Sequence, residues 1–417
     1  MTGRPHAGVV VALGTAQTLA WASSYYLPAM LATSMARELG VSTPTVFAAF
    51  SAALLVAAVL GPSAGRSIDR WGGRPVLAAT NVVFALGLAV LANAHGAAGL
   101  FAAWIVLGIG MGSGLYEAAF ATLVRLYGHG SRNSITGITL IAGFASTVGW
   151  PLSTLLEHHV GWRGACYAWA ALHLLLGLPL NLLLPSPHGP APAATRRLAR
   201  PAPEPVPLDG TRAKLAEALL AVVFAATWFV STAMAAHLPR LLELNGAALA
   251  TAVAVGALVG PAQVAGRLLE FGVLRRVHPL LSARLAAVMH PLGAAGLALL
   301  GGPGAAAFAI LHGAGNGILT IAKGTLPLML FGAQGYGHRQ GLLMVPARVA
   351  QAMSPWLFGL CLDHWGAGAL WLSGSVSLMA FLALLALPQS RQIRMTADVP
   401  VTDPWAEVAR GVNRVPP

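Results

Sequence analysis

Twelve apolar runs make up most of this chain, at about 8–35, 43–64, 76–94, 98–124, 133–157, 162–184, 213–238, 247–272, 279–301, 304–331, 338–361 and 366–388. Each comes close to or exceeds the roughly 20 residues that a helix needs to cross a bilayer. Inside lipid, every backbone N–H and C=O must find its partner within the segment, so runs of this kind can only be helices. Of the 417 residues, 56% are apolar and 9% charged, whereas a soluble domain carries roughly a quarter charged residues. The sequence therefore predicts an all-α polytopic membrane protein, with the lipid bilayer as its first partner. The run from Gly8 to Met35 is too long for a signal-peptide core and lacks a cleavage site, so it counts as the first helix.

The excess positive charge, +12, would point to nucleic acid in a soluble protein. Here the basic residues fall in short loops and tails, where they set topology, and no nucleic-acid partner is implied. The loops at Arg66–Arg74, Arg125–Arg132, Arg267–Arg284 and Arg339, together with the 185–212 segment and the tails, hold nearly all of them. The alternate loops hold Arg37, Arg163 and Arg240. Both termini are expected in the cytoplasm, which agrees with an even number of spans. Cys166 and Cys361 are far apart in apolar runs, read as small core hydrophobes with no disulfide and no metal site. His173, His290 and His312 are read as packed, hydrogen-bonded histidines.

One turn occurs twice. Gly61–Pro75 reads GPSAGRSIDRWGGRP, and Gly260–Pro279 reads GPAQVAGRLLEFGVLRRVHP. Both open with Gly-Pro, reach Gly-Arg at 65–66 and 266–267, and place an acid three residues on, Asp69 and Glu270. Glycines recur in helices four and ten, where aligning Gly110, Gly112 and Gly114 with Gly313, Gly315 and Gly317 gives an offset of 203. Gly137 with Gly341 and Pro151 with Pro355 give 204. The chain is read as a six-helix bundle over 1–184, a Pro/Ala/Arg linker over 185–212, a second six-helix bundle over 213–388 and a tail over 389–417.

On these motifs the chain resembles the major facilitator superfamily over residues 8–388. The most specific marker is that family's loop 2–3 pattern, roughly G-x-L-a-D-R-x-G-R-[RK]. It is matched at Gly65, Asp69, Arg70, Gly72 and Arg74, with Ser67 in place of the usual Leu and Gly73 in place of the usual Arg. The second copy, with Arg267 and Glu270, is weaker. The resemblance implies that these seven residues form a conformational latch joining the cytoplasmic ends of the two halves, and that helices one, four, seven and ten line a central cavity. Helix five has Gly143, Gly149, Trp150 and Pro151 without the closing glycines of the family's antiporter pattern, so the direction of transport stays open.

Charge inside the spans is sparse: Glu117, Lys323 and Arg348 lie well within helices. Such residues are costly in lipid and face a cavity or a partner. Helical spacing puts Asn316 and Thr320 on one face with Lys323, and Gln351 and Pro355 with Arg348. Ser113 and Tyr116 cluster with Glu117, while Gln17, Trp21, Tyr25 and Pro28 form a stripe on helix one; Trp228 lies on helix seven. The candidate substrate-binding residues are thus Lys323, Arg348, Gln17, Trp21, Tyr25, Tyr116, Trp228, Asn316 and Gln351, with Glu117 carrying a coupling proton. Two cations against one acid predict a small organic anion; a monovalent carboxylate would leave the site neutral. Glu117 with the aromatic stripe would instead suit a cationic or neutral drug, and a non-transporting sensor is a further alternative. No nucleophile–base pair, metal motif or nucleotide motif is present, so no enzyme and no cofactor are expected. The expectation is a monomeric secondary active transporter in a bacterial inner membrane, its partners a small-molecule substrate and a coupling proton.

Overall fold

The computed structural model describes residues 4–185 and 210–387, and among them every regular element is a helix. Eight helical stretches are long and apolar enough to cross a membrane. Two of them, Gly96–Leu182 with 87 residues and Tyr336–Ala386 with 51, far exceed the roughly 20 residues of one crossing.

In chain order, the first run is α1 (Arg4–Ser23) and α2 (Leu27–Leu39), split at Ser24–Tyr26. Then follow α3 (Thr43–Trp71) and α4 (Gly73–Ala92). Only Gly72 separates these two, and its φ of 84° lies where a side chain would be strained. The fourth run splits at Leu115 into α5 (Gly96–Gly114) and α6 (Tyr116–Tyr127). After it come α7 (Arg132–Ala142) and α8 (Ala145–Leu172), the latter interrupted at Gly161, and, past a π-turn at His173–Gly177, the short α9 (Leu178–Leu182).

The second half contains α10 (Gly210–Leu244), α11 (Leu249–Ala257), α12 (Val259–Gly272), α13 (Pro279–Leu300), α14 (Ala305–Phe331), α15 (Tyr336–Trp365) and α16 (Ala369–Ala386). The expected linker and tail lie outside the described residues except for 185 and 210–212, and α10 begins at Gly210 rather than 213.

Packing follows the small residues. A methyl group on Gly108 or Gly112 of α5 would run into Ala53 or Ala57 of α3; one on Gly313 or Gly317 of α14 would run into Val259 or Gln263 of α12. Gly110 meets Phe84 of α4, and Gly315 meets Ala286 of α13. The equivalent positions are therefore 108, 110 and 112 against 313, 315 and 317, an offset of 205, which corrects the 203 read from the glycine pattern. Glycines spaced two apart match themselves again after a two-residue slip, and only the neighbouring helix distinguishes the registers. One apolar core gathers residues from Val9 to Leu184, joined by Leu328, Tyr336 and Ala352; two more are built from 216–387.

Candidate functional site

The breaks in the helices position the site. At Leu115 the backbone turns extended, with φ −83° and ψ −165°, and leaves α5 carbonyls without helical partners. Gln17 of α1 satisfies one of them, its Nε2 donating to the Gly114 oxygen at 2.7 Å. Gln17 thus holds the break, and its Oε1 has no partner. The same break puts Tyr116 and Glu117 in the first turn of α6, where the positive end of the helix dipole favours a carboxylate.

Arg348 of α15 reaches Glu117. Its Nη2 lies 3.0 Å from Glu117 Oε2, and the two side chains are 3% and 17% exposed. Nη1 donates to Gln351 Oε1 at 3.2 Å, which leaves Gln351 Nε2 buried and unpartnered. Lys323 of α14, 6% exposed, makes no ion pair within 4 Å among the described residues. Its Nζ sits 4.1 Å from the centroid of the Trp228 ring, and the Arg348 guanidinium carbon 5.7 Å from the same ring. A desolvated cation–π contact contributes about 2 kcal/mol, less than the several kcal/mol that burying a charge costs.

Trp228 belongs to an aromatic cluster. It lies 6.3 Å from Trp21, nearly parallel at 7°, and 6.3 Å from Tyr25. Trp21 in turn lies 4.8 Å from Tyr116 and 5.2 Å from Tyr25. Residues from α1, α6, α10, α14 and α15 therefore meet at one place. Asn316 does not join them. It donates to Ser231 Oγ at 3.0 Å and lines a separate small cavity with His290 and His312. Those two histidines bond Nδ1 to Nδ1 at 2.9 Å, and His173 bridges Ser23 and Asn81, so all three are hydrogen-bonded packing residues as expected.

The latch residues diverge. Asp69 accepts from the backbone N–H of Gly337 at 2.9 Å and of His338 at 2.8 Å, capping the start of α15. Gly65 makes room for this, because a methyl there would enter the Gly337 carbonyl. Glu270 does not cap α7 in the same way. It pairs with the Arg132 side chain at 3.3 Å and accepts from Ser282 Oγ. Arg132 also donates to the Val277 oxygen at 3.2 Å. Arg70 is exposed over Trp71, and Arg74 is half-buried.

Arg267 departs most from the expectation. Its counterpart Arg66 is exposed and donates to Ser63, whereas Arg267 is 6% exposed. It has no ion pair within 4 Å among the described residues, and its Nε is buried without a partner. Its guanidinium lies against Gly143, where α7 ends. The signal was legible in the sequence, since 267 falls inside the eighth apolar run; alignment with Arg66 concealed it.

The family model for the Major Facilitator Superfamily matches residues 13–321. The chain belongs to the Major Facilitator Superfamily. A human relative, monocarboxylate transporter 11, is 30% identical over 366 residues, covering 81% of this chain and 74% of that protein. The structure described as the human organic anion transporter MFSD10 (TETRAN) superposes with a TM-score of 0.64 at 17% identity, covering 92% of this chain and all of that one. The E. coli fucose:proton symporter FucP gives 0.69 at 15% identity, covering 92% of this chain and 98% of that one. This superfamily member is an integral membrane transporter built from helices, as the apolar runs and the charged turns predicted.

Proposed function

We propose that this protein is a secondary active transporter of a small organic anion of the carboxylate class, working by alternating access. The observation that carries this reading is an imbalance: Lys323 and Arg348 meet at the Trp228 ring, Arg267 is buried against Gly143, and among the described residues Glu117 is the one acid paired with any of them. The unpartnered atoms agree in kind. Trp21 Nε1, Trp228 Nε1, Gln351 Nε2 and Arg267 Nε are donors, against the acceptor Gln17 Oε1, and a carboxylate supplies acceptors only. The 30% identity to monocarboxylate transporter 11 points to the same substrate class. A cationic substrate would use the aromatic faces, but Lys323 already occupies the Trp228 ring and would repel it.

The reading extends to the frame. Twelve spans form two six-helix bundles, 1–184 and 213–388, in a bacterial inner membrane with both termini cytoplasmic. The protein acts as a monomer, and Glu117 takes the coupling proton. Asp69 and Gly65 latch the cytoplasmic ends by holding α15 against α3, and the Arg132–Glu270 pair ties the same end. Lys323→Ala and Arg348→Ala should each abolish stabilisation of the purified protein by carboxylates while costing less in basal melting temperature. Thermal melting against carboxylates, amino acids, sugars and cationic drugs tests this. Retained carboxylate stabilisation in both variants, or stabilisation of the wild type by lipophilic cations alone, rejects it.

A further inference from the structure

Trp21 of α1 and Trp228 of α10 lie against each other, their rings 7° from parallel with centroids 6.3 Å apart. Tyr25 stands edge-on to Trp21 at 5.2 Å, and Tyr116 lies 4.8 Å from it. These rings gather where the buried cations Lys323 and Arg348 meet, 4.1 Å and 5.7 Å from the Trp228 centroid. A buried Trp N–H usually finds a partner. Nε1 of both tryptophans has none, and neither has Nε2 of Gln351, whose Oε1 is held by Arg348. Packing alone accounts for the rings but not for the unpartnered donors; an anionic ligand with an apolar body accounts for both.

The ring faces decide what that body is. An ammonium binds a carboxylate more strongly than the face of an indole, so an arriving carboxylate draws Lys323 off Trp228 and leaves that face free. An aliphatic tail would meet the face through buried area alone. An aromatic ring adds the quadrupole attraction of offset or edge-to-face pairs, and Trp21 and Tyr25 offer further faces and edges beside it. We infer that the site takes an aromatic monocarboxylate, its carboxylate held by Lys323, Arg348 and Gln351 and its ring packed among Trp21, Tyr25 and Trp228. One negative charge balances Lys323 and Arg348 against Glu117. This rests on the organic-anion reading and narrows it.

Calorimetry on the purified full-length protein tests the ring directly, by comparing benzoate with cyclohexanecarboxylate, which keeps the charge and nearly the size and removes the π-system. Phenylacetate and 3-phenylpropanoate, each beside its cyclohexyl counterpart, vary the distance from ring to carboxylate. In at least one pair the aromatic acid should bind about fivefold or more tighter. Trp21→Leu should cut that ratio about twofold or more; should it fail to fold, Tyr25→Leu should do the same. Equal or weaker binding of the aromatic acid in every pair overturns the aromatic assignment and leaves the organic-anion reading standing. A ratio unchanged in both variants also overturns it. Binding of none of these acids, with binding of a lipophilic cation or a sugar, overturns both readings.

Discussion

Glu117 has two attachments that pull in one direction, a helix N-terminus beneath it and the Arg348 guanidinium at 3.0 Å. Both hold the carboxylate in place, and an arriving anion would compete with it for Arg348. Glu117→Gln should therefore remove the dependence of uptake on a pH gradient in proteoliposomes while leaving substrate exchange in place; full pH dependence in that variant would make Glu117 purely structural. The same change strands Arg348. Breaking a fully buried pair costs about 3–5 kcal/mol, and with Glu117 17% exposed the loss should sit at the lower end, read as a lower melting temperature. At this scale the sequence was most legible where charge interrupts an apolar run. Lys323, Arg348 and Glu117 were found because no other reason places them there. The bond from Gln17 to the Gly114 carbonyl was not legible, because that acceptor is free only once α5 breaks from α6.

Among the elements, length and apolar runs were legible and the breaks were not. Nothing in Trp-Ala-Ser-Ser-Tyr-Tyr over 21–26 compels α1 to end at Ser23; packing does, with Ser23 hydrogen-bonded to His173 at 2.7 Å. The repeat was likewise legible as a motif but not as a geometry, because Asp69 caps α15 through backbone N–H groups and Glu270 holds a side chain instead. An N-cap carboxylate contributes about 1 kcal/mol. Asp69→Asn should thus leave insertion intact, speed amide hydrogen exchange at Gly337 and His338 about fivefold, and reduce transport. Gly65→Ala should have the larger effect on transport, since its methyl would push α15 away from α3. Exchange at Gly337 and His338 unchanged in both variants would reduce the turn to a topology anchor.

Over the whole molecule, the two ends differ in kind. At the end that carries the repeated turns, Asp69 joins the first half to the second, and so does Arg132 with Glu270. At the other end the ion pairs stay local: Glu38 with Arg163 at 2.6 Å in the first half, and Arg240 with Asp363 at 2.7 Å in the second. Arg163 also lies over Trp162, and it holds the Glu38 carboxyl below its usual range. Two of the three arginines at this end are thus neutralised by acids, while the end with the turns keeps Arg66, Arg70, Arg275 and Arg276 exposed. Loops rich in Lys and Arg stay in the cytoplasm, so the turns should be cytoplasmic and the substrate site should be reached from the opposite face in this conformation. Two single-cysteine proteins in a Cys166→Ser, Cys361→Ser background test the orientation, one with Arg276→Cys and one with His364→Cys, since both positions are exposed. In intact cells a membrane-impermeant maleimide should label the His364→Cys protein and spare the Arg276→Cys protein until the cells are lysed. Labelling of Arg276→Cys before lysis would invert the topology, and the latch would then close the outer face. Added Asp69→Asn should leave that labelling pattern in place, because the cap moves the equilibrium between conformations and not the orientation of the chain in the bilayer.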